Sequence, residues 1–217
     1  MPLKKNDFIE IEFTAKTKEG NIFDSNIKED LQKINPQIQA KPLIIVLGQE
    51  MFLKSVEDFL IEKNIGEYKV ELSPEKAFGN RNPELIKRIP MKVFKEQQIN
   101  PIPGAIFNFD GRIGKILSAS GGRILTDFNN PIAGKDVIYD INVKRIVTDL
   151  NEKVKSIIEF LFRKDFEFKI EEKKIVLNVD KGMKQFAGLF KDKFKDILGL
   201  DLEVKEIENK KNIDKEQ

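Results

Sequence analysis

Ile9-Glu10-Ile11-Glu12-Phe13-Thr14-Ala15-Lys16 alternates apolar and polar side chains without a break, and this stretch decides the fold. Successive side chains of an extended strand point to opposite faces. Ile9, Ile11, Phe13 and Ala15 therefore fall on one side, and Glu10, Glu12, Thr14 and Lys16 on the other, which predicts a half-buried antiparallel strand. Lys18-Glu19-Gly20-Asn21 turns the chain, and Ile22-Phe23 starts a return strand ending at Asp24. Residues 26–42 are polar and carry Pro36 and Pro42, so they read as a loop or bulge. Leu43 to Leu47 is an apolar strand closed by Gly48. Ser55-Val56-Glu57-Asp58 reads as a capping box with Ser55 as N-cap, opening a helix whose apolar face is Val56, Phe59 and Leu60. Alternation returns from Glu67 to Leu72 and again at Val137, Tyr139, Ile141 and Val143. These pieces predict a small antiparallel sheet holding a single short helix.

Residues 83–126 interrupt that pattern. A helix from Met91 to Gln97 leads into Asn100-Pro101-Ile102-Pro103-Gly104, and short strands follow, with turns at Asp110-Gly111 and Ser120-Gly121-Gly122. The block is too long for a loop and reads as an inserted β domain. It is also too small to bury all of its apolar residues, which leaves Ile102, Ile106 and Phe109 as surface candidates for binding a polypeptide. After Val147 the character changes again. Asn151 to Arg163 has helical spacing, two strands (Phe166 to Ile170, Lys174 to Val179) flank a polar turn, Lys181 to Leu198 reads as one amphipathic helix, and Leu202 to Ile207 as a last strand. The fold class expected is α+β: residues 1–82 with 127–149, an insert at 83–126, a C-terminal α-β-β-α-β domain at 150–208, and a disordered tail at 209–217.

Composition removes whole classes of chemistry. The chain has no Cys and no His, so thiolate nucleophiles, His-based general bases and the usual transition-metal ligands are absent, and no metal or other cofactor is called for. Its 38 basic and 36 acidic residues form no basic stripe, which argues against nucleic acid as a partner. The polar N-terminus lacks a signal core and no apolar run is long enough to span a bilayer, so no membrane partner is expected and the expected location is the cytoplasm.

Four motifs in order carry a resemblance. They are Lys18-Glu19-Gly20 followed by Ile22-Phe23-Asp24-Ser25; Leu47-Gly48; Ser73-Pro74-Glu75-Lys76-Ala77-Phe78-Gly79; and Asp127-Phe128-Asn129-Asn130-Pro131-Ile132-Ala133-Gly134-Lys135. Over residues 3–147 the sequence resembles long archaeal members of the FKBP family of prolyl isomerases, close in layout to the SlyD-type proteins. That family carries an insert-in-flap chaperone domain between the third and fourth motifs, and Asn108-Phe109-Asp110-Gly111 and Ser120-Gly121-Gly122-Arg123 match inside it. The resemblance implies a peptidyl-prolyl cis/trans isomerase and folding chaperone, acting on unfolded or nascent polypeptides that contain proline. It places the isomerase pocket on Phe13, Phe23, Asp24, Leu53, Val56, Phe78 and Tyr139, with Leu43 and Phe52 beside them in contact with substrate. Three positions depart from common members of the family. Val56 stands where many have a floor Trp, Ser55 replaces a Gly, and Phe78 replaces a Tyr whose hydroxyl binds substrate.

Such a pocket needs no nucleophile. An amide resists rotation by roughly 18–20 kcal/mol because resonance holds it flat. Twisting it reduces charge separation, so apolar surroundings favour the twisted form, and the resemblance assigns the Leu53 N–H to hold the substrate carbonyl. Lowering the barrier by about 5–6 kcal/mol gives roughly 10⁴-fold acceleration. Taken alone, Phe13 and Phe23 on alternating strands read as plain core, Tyr139 as core with a hydroxyl reaching water, Asp24 as a turn residue, and the charged helical faces as solvated surface. Two rival readings stay open: a holdase or assembly chaperone with a vestigial site, and an oligomeric scaffold. The apolar stripe Phe186, Leu189, Phe190, Phe194 and Ile197 raises the further expectation of a homodimer through the C-terminal domain.

Overall fold

The computed structural model describes residues 1–207, and the tail expected at 209–217 lies outside them. The described chain is α+β, dominated by antiparallel strand pairs with few helices. The alternating stretch forms β1 (Phe8–Thr17), and β2 (Ile22–Ser25) returns against it. The first correction follows at once, because α1 (Lys28–Ile34) occupies a stretch whose polarity predicts a loop. A helix this short shows no periodicity when a single residue, Leu31, reaches the core. Asp30 holds its start by accepting from the Thr14 hydroxyl at 2.7 Å and from Lys33 at 2.6 Å.

β3 (Leu43–Val46) pairs with the Phe8-to-Ile11 half of β1, on the edge whose other half is taken by β2. Asn26 bridges the gap between them, accepting from the Phe13 N–H and donating to the Ile11 carbonyl, both at 2.8 Å. α2 (Lys54–Leu60) begins from Leu53, so the expected capping box does not form. Ser55 donates to the Lys76 carbonyl at 2.6 Å instead, and Asp58 pairs with Lys54 at 2.5 Å. Val56 and Leu60 are buried as their spacing predicts, whereas Phe59 is exposed and packs edge-on to Tyr68 while Glu57 turns inward. β4 (Gly66–Leu72) follows.

The next block opens with β5 (Ile86–Pro90), which charged residues and a terminal Pro hide from sequence patterning. α3 (Met91–Glu96), β6 (Ile106–Phe109), β7 (Arg112–Ser120) and β8 (Arg123–Asp127) complete a four-stranded sheet in the order β5-β8-β7-β6. One face buries Ile116 and Ile124 beneath Phe94 of α3. β9 (Val137–Ile146) then returns between β1 and β4, giving the host sheet its order β2-β1-β9-β4 with β3 also paired to β1.

α4 (Leu150–Phe162) is N-capped by Asp149, whose carboxylate accepts from the Glu152 N–H at 2.9 Å. β10 (Phe168–Glu171) and β11 (Lys174–Asp180) form a hairpin. The run that reads as one helix is two, α5 (Lys184–Gly188) and α6 (Lys191–Leu198). The break at Leu189-Phe190 lets the Phe190 ring meet Phe162 at 5.4 Å and Phe186 at 5.3 Å. β12 (Asp201–Ile207) lies parallel to β11.

This C-terminal block packs directly on the host sheet. Phe8, Val46 and Val147 share one buried cluster with Val154, Ile157 and Ile158 of α4. Arg145 ties the rim by bonding Glu10 at 2.7 Å and Glu152 at 2.9 Å. Emptying the Phe8 site should therefore weaken both parts together. Phe8→Ala is expected to cost about 3–5 kcal/mol in urea unfolding, with host and C-terminal probes melting in one transition.

Candidate functional site

The register of the host sheet gathers an aromatic cradle. Across β1 and β9, Phe13 faces Ile141 and Ala15 faces Tyr139, so Phe13 and Tyr139 share a face, with their rings 6.4 Å apart and stacked. Phe52, from the loop before α2, sets its ring edge-on to both, at 4.9 Å from Phe13 and 5.6 Å from Tyr139. From β2, Phe23 meets Tyr139 at 6.2 Å and Phe78 at 5.6 Å, again edge-on. Val56 is fully buried beneath them, and Leu43 and Leu53 pack against the same cluster. Phe23, Leu43, Phe52, Leu53 and Phe78 are only half-buried, which leaves the cradle open on one side. All nine host residues expected at the pocket thus pack in or beside this cluster, Asp24 standing at its rim beside Phe23.

Asp24 faces Ala15 across the β1–β2 ladder. Its side chain reaches solvent, yet the surrounding rings strip away part of its water, and that burial pushes its carboxyl above the usual value while the Ser25 N–H pulls it partly back. Burial, reinforced by the nearby Asp24 charge, pushes the Tyr139 phenol well above its ordinary value, so it keeps its proton throughout the physiological range.

The loop that supplies Phe52 and Leu53 is held by a residue that sequence reasoning missed. The Glu57 side chain is fully buried. One of its oxygens accepts from the N–H groups of Gly48, Gln49 and Glu50 at 2.8, 3.1 and 3.1 Å, and the other from Phe52 at 2.7 Å. A buried carboxylate survives only with such partners. Among the described residues no hydrogen bond leaves the Leu53 N–H, the next donor along. The one signal for this arrangement was a Glu between two apolar helix positions beside a Gly-containing turn. On the far rim, the Ser55 bond to Lys76 and the Gly79 N–H bond to Pro74 at 2.7 Å fix the turn that carries Phe78.

The three insert residues expected to meet a client lie apart from the cradle. Ile102 and Ile106 are exposed, at 58% and 59%. Phe109 turns to the α3 side, where its ring contacts Phe94, Phe107 and Phe128 at 5.7, 6.4 and 5.3 Å. A separate hollow of about 520 Å³ beside α4 and β10 is lined by Lys155, Asp165, Glu167 and Lys169 among others, and contains none of the cradle rings. Among the described residues, no cluster of carboxylates could hold a metal ion.

The Glu57 clamp yields a direct test. Glu57→Gln keeps one acceptor but turns an NH₂ toward backbone donors, so it should destabilise the fold by about 2–4 kcal/mol. Loosening Phe52 and Leu53 should also raise KM for a prolyl peptide more than it lowers kcat, which steady-state kinetics on the folded fraction would resolve.

Comparisons with known proteins point toward one family. The family model described as FKBP-type peptidyl-prolyl cis-trans isomerase matches residues 2–105, and a second, described as FKBP26, IF domain, matches residues 87–132. The short-type peptidyl-prolyl cis-trans isomerase of Methanocaldococcus jannaschii is 28% identical over 149 residues, covering 66% of this chain and 94% of that protein. The FKBP-type 16 kDa peptidyl-prolyl cis-trans isomerase of Escherichia coli strain K12 is also 28% identical, over 66% of this chain and 93% of its own length. The SlyD isomerase of Pasteurella multocida is 24% identical, over 66% and 68%. The two models together span residues 2–132 and the relatives align along two thirds of the chain, so in sequence the chain is similar to the FKBP-type peptidyl-prolyl cis-trans isomerases.

Proposed function

We propose that the aromatic cradle around Tyr139 is the isomerase site, and that the chain works as a folding helper on unfolded or nascent polypeptides containing proline. The observation that carries this reading is the open set of rings from Phe13, Phe23, Phe52, Phe78 and Tyr139 beside the Leu53 N–H. The proline ring sits against the half-buried Phe23, Phe52 and Phe78, with Tyr139 and Val56 forming the floor beneath them. The Leu53 N–H takes the carbonyl of the residue before proline or a neighbouring one, and the rings exclude water from the bond that rotates. As resonance breaks, the amide loses charge separation, so a dry site stabilises the twisted form relative to the planar one. Tyr139 acts as a wall and hydrogen-bond donor rather than a base, since its phenol stays protonated. Phe78 offers no hydroxyl, so substrate is held by fewer polar contacts on that side.

Residues 83–126 form the capture module in this reading, and residues 150–208 a C-terminal module that joins two copies. Among the described residues no helix is long and apolar enough to cross a membrane, which fits the cytoplasmic location we assign. The dimer rests on Leu189 and Phe186, exposed at 76% and 46% beside the ring cluster of Phe162, Phe166 and Phe190.

Asp24→Ala and Tyr139→Ala should each slow isomerisation of a tetrapeptide at least tenfold with unchanged circular dichroism. Wild-type rates in both would move the site elsewhere and favour a holdase with a vestigial pocket. Replacing residues 83–126 by a short loop should spare tetrapeptide turnover but reduce catalysis of proline-limited protein refolding by about 10²-fold, the scale of an effective-concentration gain. Refolding catalysis equal to that of the intact chain would remove the insert as the capture module.

A further inference from the structure

The charge of this chain is unevenly placed. Residues 83–126 carry seven Lys and Arg against three Asp and Glu, whereas the rest of the chain carries thirty-one against thirty-three. All of the net positive charge thus belongs to the insert, and the strand register puts part of it on one face. Arg88 pairs with Leu125, Leu125 with Ser118, and Arg123 with Ser120, so these side chains lie on the face opposite α3. Lys115 and Ile106 face each other across β6 and β7 on that side, with Ile113 two places along β7 from Lys115. No helix or strand among the described residues covers this face. Arg88 and Arg123 are exposed and edge a shallow depression of about 290 Å³ over Leu125.

Lys115 faces Asp127 across the β7–β8 ladder. Among the described residues neither Arg88, Arg123 nor Lys115 has an ion pair or a carboxylate hydrogen-bond partner. Asp127 lies on the same face two places from Leu125, and Arg81 already holds it. Beside the cations stand apolar side chains open to water: Ile106 at 59% and Ile113 at 53% exposed.

We propose that this bare sheet face selects polypeptide clients whose exposed segments alternate apolar side chains with Asp or Glu. The inference deepens the capture role proposed above and rests on it. Charge complementarity names the occupant. Three unpaired cations around apolar patches fit carboxylates interspersed with aliphatic side chains on an extended chain. Residues on one side of such a chain repeat every ~6.5–7 Å, close to the spacing of same-face positions along β7 and β8. A nucleic acid would need aromatic platforms for its bases, and the insert rings turn to the α3 side. Exposed charge pairs are individually weak and screened by salt, so the selectivity is modest and ionic-strength dependent.

The test uses the full chain and three labelled unfolded peptides of equal length and apolar content, made acidic, neutral or basic, with binding read by fluorescence anisotropy. The acidic peptide should bind about tenfold tighter than the basic one at low salt, the sum of two or three exposed pairs, and the gap should close near 0.5 M salt. Arg88→Glu with Arg123→Glu should reverse the order. Arg88→Gln with Arg123→Gln, a milder pair of surface changes, should abolish the preference while keeping neutral-peptide affinity. Equal binding of acidic and basic peptides, or a preference that survives both double variants, would overturn the proposal while leaving capture by the insert intact. Binding of none of the three would sink the capture role itself. A single-stranded RNA that binds more tightly than the acidic peptide and is lost in the Gln variant would reassign the face to nucleic acid.

Discussion

Four backbone N–H groups between Gly48 and Phe52 converge on the Glu57 carboxylate, and the geometry of the aromatic cradle depends on that convergence. The loop they belong to has no strand partner, and it must turn through the left-handed conformations of Gly48 and Glu50, at φ 77° and 56°. Without an internal acceptor those donors would face apolar side chains and cost far more than the loop could recover. With one, the loop becomes as fixed as a strand. Phe52 is then held edge-on to Phe13 and Tyr139, and Leu53 starts α2 with its own N–H left over. Polar chemistry hidden inside the core thus sets the position of an apolar, ring-lined surface.

The same sheet serves two cores. Its Ile9, Ile11, Phe13 and Ala15 face builds the cradle and its floor, while Phe8, Ile44 and Val46 reach the C-terminal block. Met51 packs against both clusters and lies within the loop that Glu57 organises. Motion of the C-terminal block would therefore be felt at the cradle through a few well-packed side chains. A module hung on a flexible linker would transmit no such motion.

Alternation was enough to read β1, β4 and β9 in the sequence, since apolar side chains at every second position fit a half-buried strand and almost nothing else. The cradle residues were legible through ordered motifs, because a ring on a strand looks the same whether it fills a core or lines a site. What stayed hidden was set by contacts distant in sequence. α1 depends on Leu31 and on Asp30 meeting Thr14, β5 exists because β8 offers it an edge, and the break before α6 brings Phe190 to Phe162. Glu57 is the sharpest case. On a helical wheel it is one more surface carboxylate, and only the fold delivers four amides to it.

The segments entering and leaving the insert are laced together. The Asn129 side chain accepts from the Asn82 N–H at 2.8 Å and donates to the Asn82 carbonyl at 3.0 Å, while Arg81 pairs with Asp127. To the host sheet, the whole intervening block therefore begins and ends at nearly one point. Closing a longer loop costs entropy only logarithmically, and a pre-joined neck removes most of even that dependence. Material between these two asparagines can be lengthened, shortened or exchanged with little penalty to the host fold. A lineage could rework the insert residue by residue while the aromatic cradle of the host sheet stays the same.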